Sequence, residues 1–266
     1  MRASALYDIT LWDGQIDLVQ QAIERLREFE PPEGYYGAFS GGKDSIVLKD
    51  LLRRSGVKHD MHHNHTTVDA PELVYYIRQH HPDVKVEKPL KSMWQLILEV
   101  GTLPTRKRRF CCLHLKETGG AGRLVATGVR RKESTKRSKR QMVELCYTDS
   151  TKRFLHPLID WSAEAVWEYI HSQKLPYCQL YDEGCSRIGC VMCPNAGAKG
   201  MKAQAERWPK YAAMYRWCCD QLYAQYLAKG KEMEWKSGAD LYEWWLSGKG
   251  QEDDDGQMDL FPFFFD

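Results

Sequence analysis

The sequence predicts an α/β fold: an open, twisted, mostly parallel sheet with helices on both faces, followed by a helical C-terminal part. Three observations predict it. Short apolar runs alternate with segments whose apolar residues recur at helical spacing. The first of these runs stops at a Ser-Gly-Gly turn that opens directly into a helix. Beyond Pro176 the alternation gives way to a cysteine- and glycine-rich loop and a long helical stretch.

Taken in order, Ile16, Val19, Ile23, Leu26 and Phe29 share one face of a helix over 11–29, which Pro31-Pro32 ends. Tyr35 to Phe39 is a buried strand; after the turn at Ser40-Gly41-Gly42, Ile46, Val47, Leu48, Leu51 and Leu52 supply the apolar face of the next helix. A strand around Lys58 to His65, a helix from Pro71 to about His80, a strand Val84 to Glu87 and a helix Met93 to Val100 repeat the unit in outline. Leu124 to Val129 is a further buried strand. His156 to Trp161 reads as a strand end leading into a helix, with Ser162 as its N-cap. A loop then runs to Gly200, and one long helix from about Lys202 to Ala228 follows.

A chain of 266 residues, 43% of them hydrophobic, can bury a sizeable core. No apolar run reaches the roughly 18 residues a membrane span needs, and Met1-Arg2-Ala3-Ser4 leads into a polar segment, so a cytoplasmic protein with no membrane partner is expected. Net charge is only +2, but Arg106–Arg109 and the run Arg130 to Arg140 are basic while Glu252 to Asp255 are acidic. The nine cysteines cluster as Cys111-Cys112, Cys185/Cys190/Cys193 and Cys218-Cys219, a grouping that suits metal binding better than a disulfide framework.

The sharpest motif is Ser40-Gly41-Gly42-Lys43-Asp44-Ser45, set where a strand turns into a helix. Glycines let backbone N–H groups approach an anion, the two serines offer hydroxyls, the helix N-terminus adds positive potential and Lys43 a full charge. Asp44 fits a magnesium-linked role. The spacing is not that of the Walker loop, which disfavours kinase-type P-loop chemistry.

The segment matches the SGGxDS signature of the PP-loop superfamily, which includes N-type ATP pyrophosphatases and sulfonucleotide reductases. It resembles the phosphoadenosine phosphosulfate reductase branch further in Thr67-Val68-Asp69-Ala70-Pro71-Glu72, in the Gly-Val-Arg loop within Ala126 to Ser134, and in His156 to Trp161 with Val166-Trp167 and Tyr169-Ile170. These blocks span roughly residues 35 to 195, in the family's order. The resemblance implies an adenine nucleotide alpha hydrolase-like fold. It implies that Ser40, Gly41, Gly42, Lys43, Asp44, Ser45, Asp69, Gly128 and Arg130 bind an adenine nucleotide, ATP with magnesium, and that Lys43, Asp44 and Arg130 are catalytic. An arginine at the C-terminal end of a parallel strand also stands where such sheets bind ligands.

Cys190-Val191-Met192-Cys193 places two thiols at metal-binding spacing, and a closed site needs about four soft ligands. With Cys111-Cys112, and with Lys116 beside them, the set is similar to the one that holds a 4Fe–4S cluster in adenosine phosphosulfate reductases. Cys111, Cys190 and Cys193 are the expected ligands, with Cys112 or Cys185 as the fourth; four thiolates also suit zinc. Cys218, Cys219 and Cys146 read as core residues.

The reductases carry their nucleophilic thiol in a C-terminal Glu-Cys-Gly-aromatic-His motif, which this sequence does not contain. The leading expectation is therefore an ATP pyrophosphatase that adenylates an acceptor for sulfur transfer, on DNA or RNA, as in DNA phosphorothioation or tRNA thiolation. A sulfonucleotide reductase, and a non-catalytic nucleotide- and DNA-binding module, are the alternatives. Gln257-Met258-Asp259-Leu260-Phe261 resembles the pentapeptide that bacterial replication proteins insert into the sliding clamp. The expected division is a PP-loop α/β domain over 1–175, a cysteine loop and helical region over 176–247, and a disordered acidic and aromatic tail over 248–266.

Overall fold

The computed structural model describes residues 4–10, 14–230 and 234–249. In chain order the elements are β1 (Tyr7–Thr10), β2 (Gly14–Asp17), α1 (Leu18–Glu28), β3 (Tyr35–Ala38), α2 (Lys43–Ser55), β4 (His59–Asn64), α3 (Pro71–His80) and β5 (Lys85–Glu87). There follow α4 (Met93–Val100), α5 (Phe110–Leu115), β6 (Leu124–Ala126), α6 (Thr135–Ser138), β7 (Val143–Leu145), β8 (Arg153–Leu155) and α7 (Ala163–Ser172). The last helices are α8 (Gly197–Arg207), α9 (Pro209–Ala228) and α10 (Gly238–Leu246).

The chain forms two compact units. Of the described residues, unit 1 takes those up to Asn64, then Ala70–Glu87 and Thr118–Gly189; unit 2 takes His65–Asp69, Lys88–Glu117 and those from Cys190 onward. Unit 2 is thus assembled from three stretches, two of them inside the 1–175 region. Hydrogen bonds explain the borrowing: the Asp69 and Cys190 backbones form an isolated β-bridge, Val191 N–H donates to the Val68 carbonyl at 2.7 Å, and the Trp245 indole side chain donates to the Pro104 carbonyl at 2.8 Å.

Unit 1 is built on a six-stranded sheet in the order β5-β4-β3-β6-β8-β7, parallel except where β7 runs antiparallel to β8. From β3 the chain winds outward through β4 and β5, then returns to the other side of β3 through β6. The reversal lies between β3 and β6, where Tyr36 pairs with both Asp60 and Val125. Leu48, Leu51 and Leu52 of α2 are fully buried, as are Val166 and Ile170 of α7, and the two helices are tied by Asp50, which accepts from the Tyr169 hydroxyl at 2.6 Å.

Local chemistry fixes the ends of elements. Ser92 and Gln95 form a capping box at α4, and Gly101 ends that helix in the left-handed conformation. Ser162 caps α7 by accepting from Ala165 N–H, as expected. The first helix begins at Leu18 rather than 11: Gly14–Asp17 pairs with Tyr7–Thr10, and the Asp17 carboxylate caps α1. The single long helix expected over 202–228 is two helices, α8 and α9, because Pro209 has no N–H to continue the ladder. The β7–β8 hairpin and α10 were not foreseen. Among the described residues no helix is long and apolar enough to cross a membrane. Residues 250–266, with the Gln257–Phe261 pentapeptide, lie outside the described residues.

Candidate functional site

The Ser40–Ser45 turn leaves the C-terminal end of β3 at the point where strand order reverses, the position at which open α/β sheets bind ligands. Gly41 adopts φ +73°, and a Cβ there would lie 2.6 Å from the Leu73 side chain, so only glycine fits. Gly42 is the N-cap of α2 and has no side chain to satisfy the helix's first N–H groups. The Ser40 hydroxyl accepts from Gly42 N–H at 3.3 Å, and the Ser45 hydroxyl donates to the Gly42 carbonyl at 2.8 Å. The result is a cradle-shaped turn at the amino end of α2, whose positive potential suits an anion.

Lys43 is 8% exposed, with its ammonium 3.4 Å from the Asp44 carboxylate and 5.8 Å above the Tyr181 ring. The loop after β6 closes the other side. Gly128 lies so near α2 that a Cβ would stand 2.8 Å from the Asp44 carbonyl carbon and oxygen. Two residues on, the Arg130 side chain is 2% exposed and its Nε donates to Asp44 at 2.5 Å. A buried guanidinium and an ammonium thus flank one carboxylate at the mouth of the cradle. The rest of the basic run is not a bare cationic track: Arg131 pairs with Asp160, Arg137 and Arg187 with Glu133, and Arg140 with Glu144. Burial first, then Arg187, lowers the Arg137 pKa to about 10.

Unit 2 holds the second constellation. Cys111, Cys112, Cys190 and Cys193 line one cavity together with Thr66, Met93, Pro104, Leu115, Lys116, Pro194 and Tyr215. Helix α5 supplies the adjacent pair. The other two come from a turn in which Met192 takes φ 56°, its N–H held by the Gln204 side chain at 2.6 Å. Burial raises the Cys190 thiol, and the Cys112 contact with burial raises Cys111; Cys112 is lowered to about 5 by its bond from Cys111, and Arg109 donates to its sulfur at 3.4 Å. Lys116 is raised, first by the Cys190 sulfur and further by Asp69, Cys112 and Cys193. The pair Lys116–Cys190 pulls both ways, since a thiolate would favour the ammonium while burial favours the thiol. Binding a cation at the sulfur resolves that conflict toward thiolate. Among the described residues, no three His, Cys, Asp or Glu side chains already converge on a single ion position.

The structure therefore brings Ser40, Gly41, Gly42, Lys43, Asp44, Ser45, Gly128 and Arg130 together in unit 1. Cys111, Cys112, Cys190 and Cys193 come together in unit 2. Asp69 belongs to unit 2, where its carboxylate accepts from Thr66 N–H at 2.8 Å, and Cys185 belongs to unit 1. Sequence reasoning missed Tyr181, whose hydroxyl accepts from Lys43 N–H at 3.0 Å; it ends a single 3-10 turn, Gln179–Tyr181, 138 residues from Lys43, too short for periodicity to mark it.

Sheet order and cradle define an α/β protein of the adenine nucleotide alpha hydrolase-like fold. The chain belongs to the phosphoadenosine phosphosulfate reductase domain family, whose model matches residues 35–196. It is 27% identical to an adenosine 5'-phosphosulfate reductase of Oceanobacillus iheyensis over 64% of this chain and 75% of that protein. It is 28% identical to an uncharacterized protein of Methanocaldococcus jannaschii over 65% of this chain, spanning only 38% of that longer relative. Among solved structures, the phosphoadenylyl-sulfate reductase of Candida auris shares the fold with a TM-score of 0.51 at 21% identity, over 64% of this chain and 88% of that one.

Proposed function

We propose that this chain is a sulfonucleotide reductase, cleaving adenosine 5'-phosphosulfate or its 3'-phosphorylated form to sulfite and nucleotide. Family membership and the reductase relatives support the reading, and one observation carries it: buried Arg130 and Lys43 flank Asp44 at the strand-order reversal. In the reaction a thiolate attacks the sulfuryl sulfur, the S–O bond breaks, and its electron pair leaves on the nucleotide phosphate. A second thiol then releases sulfite as a disulfide forms. The positive amino end of α2, with Lys43 and Arg130, binds the phosphate and takes up the charge that develops on it.

Cys218 and Cys219 are fully buried, and burial raises both thiols, so neither serves as the attacking group. The reductant we propose is an external dithiol; among the described residues, Cys146, which is not a core residue, and Cys185 are the partly exposed thiols outside the cysteine cavity. Sulfite release from either sulfonucleotide with a dithiol donor, lost in Lys43→Ala and Arg130→Ala, tests the reading; no sulfite from the wild-type chain refutes it.

A 4Fe–4S cluster fits the cysteine cavity by the chemistry of its donors: four cysteines with Lys116 and Arg109 facing an anionic centre. Cys111, Cys112, Cys190 and Cys193 would hold it, which makes Cys112 the fourth ligand and leaves Cys185 out. When bound, such a cluster supplies a polarisable, electron-delocalising group. Zinc is the alternative occupant, separated by the visible absorption of anaerobically purified protein.

The burial of Cys218 and Cys219 also favours a second reading: an ATP pyrophosphatase that uses magnesium, adenylates a nucleic-acid acceptor for sulfur transfer, and is recruited to DNA by a sliding clamp through Gln257–Phe261. It predicts pyrophosphate release from ATP that rises with added DNA or RNA.

A further inference from the structure

We propose that Tyr181 is part of the anion cradle, a phenolic donor that stands in for the first amide of α2 and positions the phosphate. The inference rests on nucleotide binding at Ser40–Ser45 and goes beyond it in naming a residue that neither the motif nor the family resemblance marks.

At the amino end of a helix the early N–H groups are those an anion would take. Here the Lys43 N–H is already spent, donating to the Tyr181 Oη at 3.0 Å. A Cβ on Gly42 would lie 3.4 Å from that oxygen, so the phenol reaches over the turn itself. Because Oη accepts from the amide, its own proton remains to be donated, and among the described residues it has no acceptor. The same proton is hard to lose: burial raises the Tyr181 pKa, with Asp44 adding to the effect. A neutral O–H donor therefore points from the cradle wherever the phosphate arrives.

The ring is held rather than loosely placed. It packs edge-on against Trp167 at 5.0 Å and against Tyr177 at 6.4 Å. Its loop is pinned on one side by the Tyr76 hydroxyl donating to the Pro176 carbonyl at 2.7 Å. On the other, successive backbone bonds close the turn from Cys178 to Cys185. The Lys43 ammonium lies over the face of the same ring, so phenol and ammonium approach a bound anion together. A fixed hydroxyl that relays an amide to the ligand keeps the donor count of the helix end while moving the contact outward by one bond.

The test is the affinity of the full chain for AMP and for inorganic pyrophosphate, measured by calorimetry for wild type, Tyr181→Phe and Lys43→Ala. Removing a charge-assisted donor should weaken binding by Tyr181→Phe about ten-fold or more, with the tryptophan emission and melting temperature unchanged because the ring stays. A chain labelled with 3-fluorotyrosine should show the Tyr181 resonance, assigned by its loss in Tyr181→Phe, shift on saturation with AMP. If wild type binds and Lys43→Ala loses binding while Tyr181→Phe binds equally, Tyr181 is no donor and the proposal is overturned with the cradle intact. Tighter binding by Tyr181→Phe would overturn it too, showing the phenol to be a competitor for the amide. If wild type binds neither probe, cradle and proposal fall together.

Discussion

At the scale of single residues, the cradle depends on a carboxylate that two cations share. Asp44 touches Arg130 at 2.5 Å and Lys43 at 3.4 Å, and the Arg130 side chain is almost wholly enclosed. Removing one partner of such a pair leaves the other charge buried and uncompensated, so Asp44→Ala should cost about 3 kcal/mol in urea unfolding. Lys43→Ala removes the charge with less effect on stability. Gly128→Ala separates geometry from charge: its methyl group would meet the Asp44 backbone at 2.8 Å, displacing the start of α2 from the Arg130 loop. AMP affinity should fall by about ten-fold or more while circular dichroism is retained; unchanged affinity would show that the two loops do not act together. These residues were legible in the sequence because glycines, a lysine and an arginine at strand ends carry a local signature. Tyr181 and Glu133 were not, since their roles come from tertiary placement that no spacing encodes.

At the scale of elements, legibility followed the strength of local signals. α3 and α4 fall where periodicity placed them, since Pro71 opens one and the Ser92–Gln95 box with Gly101 bounds the other. Ser92→Ala should lower stability by about 1 kcal/mol, seen as a melting temperature lower by roughly 2–4 °C. Helical periodicity alone misled twice. Ile16 lies in a strand of the β1–β2 hairpin, although it continues the apolar face of α1. Likewise the apolar pattern runs unbroken through Trp208-Pro209, while the backbone cannot. The β7–β8 hairpin escaped because Val143–Leu145 and Arg153–Leu155 are three-residue strands too short for alternation to register. The cysteine pair of α5 and the Cys190–Cys193 turn were readable as a set, but that Cys112 rather than Cys185 lines the cavity with Cys111, Cys190 and Cys193 required knowing which segments form unit 2.

At the scale of the molecule, unit 1 carries two histidines kept neutral by their surroundings. Burial, reinforced by the Lys49 ammonium, lowers His81 to about 4; burial, reinforced by Arg140 and Arg137 and opposed by Glu144, does the same for His156. In the unfolded chain both take up a proton near pH 6.5. The native state binds fewer protons below that pH, so stability is full above about 6.5 and is lost as the pH falls toward 4. Melting temperature should be flat above pH 7 and fall steeply from 6.5 to 4. His81→Gln should flatten part of the fall, and a profile as steep without His81 would assign the effect elsewhere. Unit 2, made from three separated stretches, has a history written into it as well. At about 5–20 residues per second, the roughly 80 residues between Cys112 and Cys190 take several seconds to emerge from a ribosome. Throughout that interval the first thiol pair waits in the nascent chain without its counterpart. Completion of the four-cysteine pocket is therefore a late event in biosynthesis, and the early pair is the one exposed to adventitious oxidation.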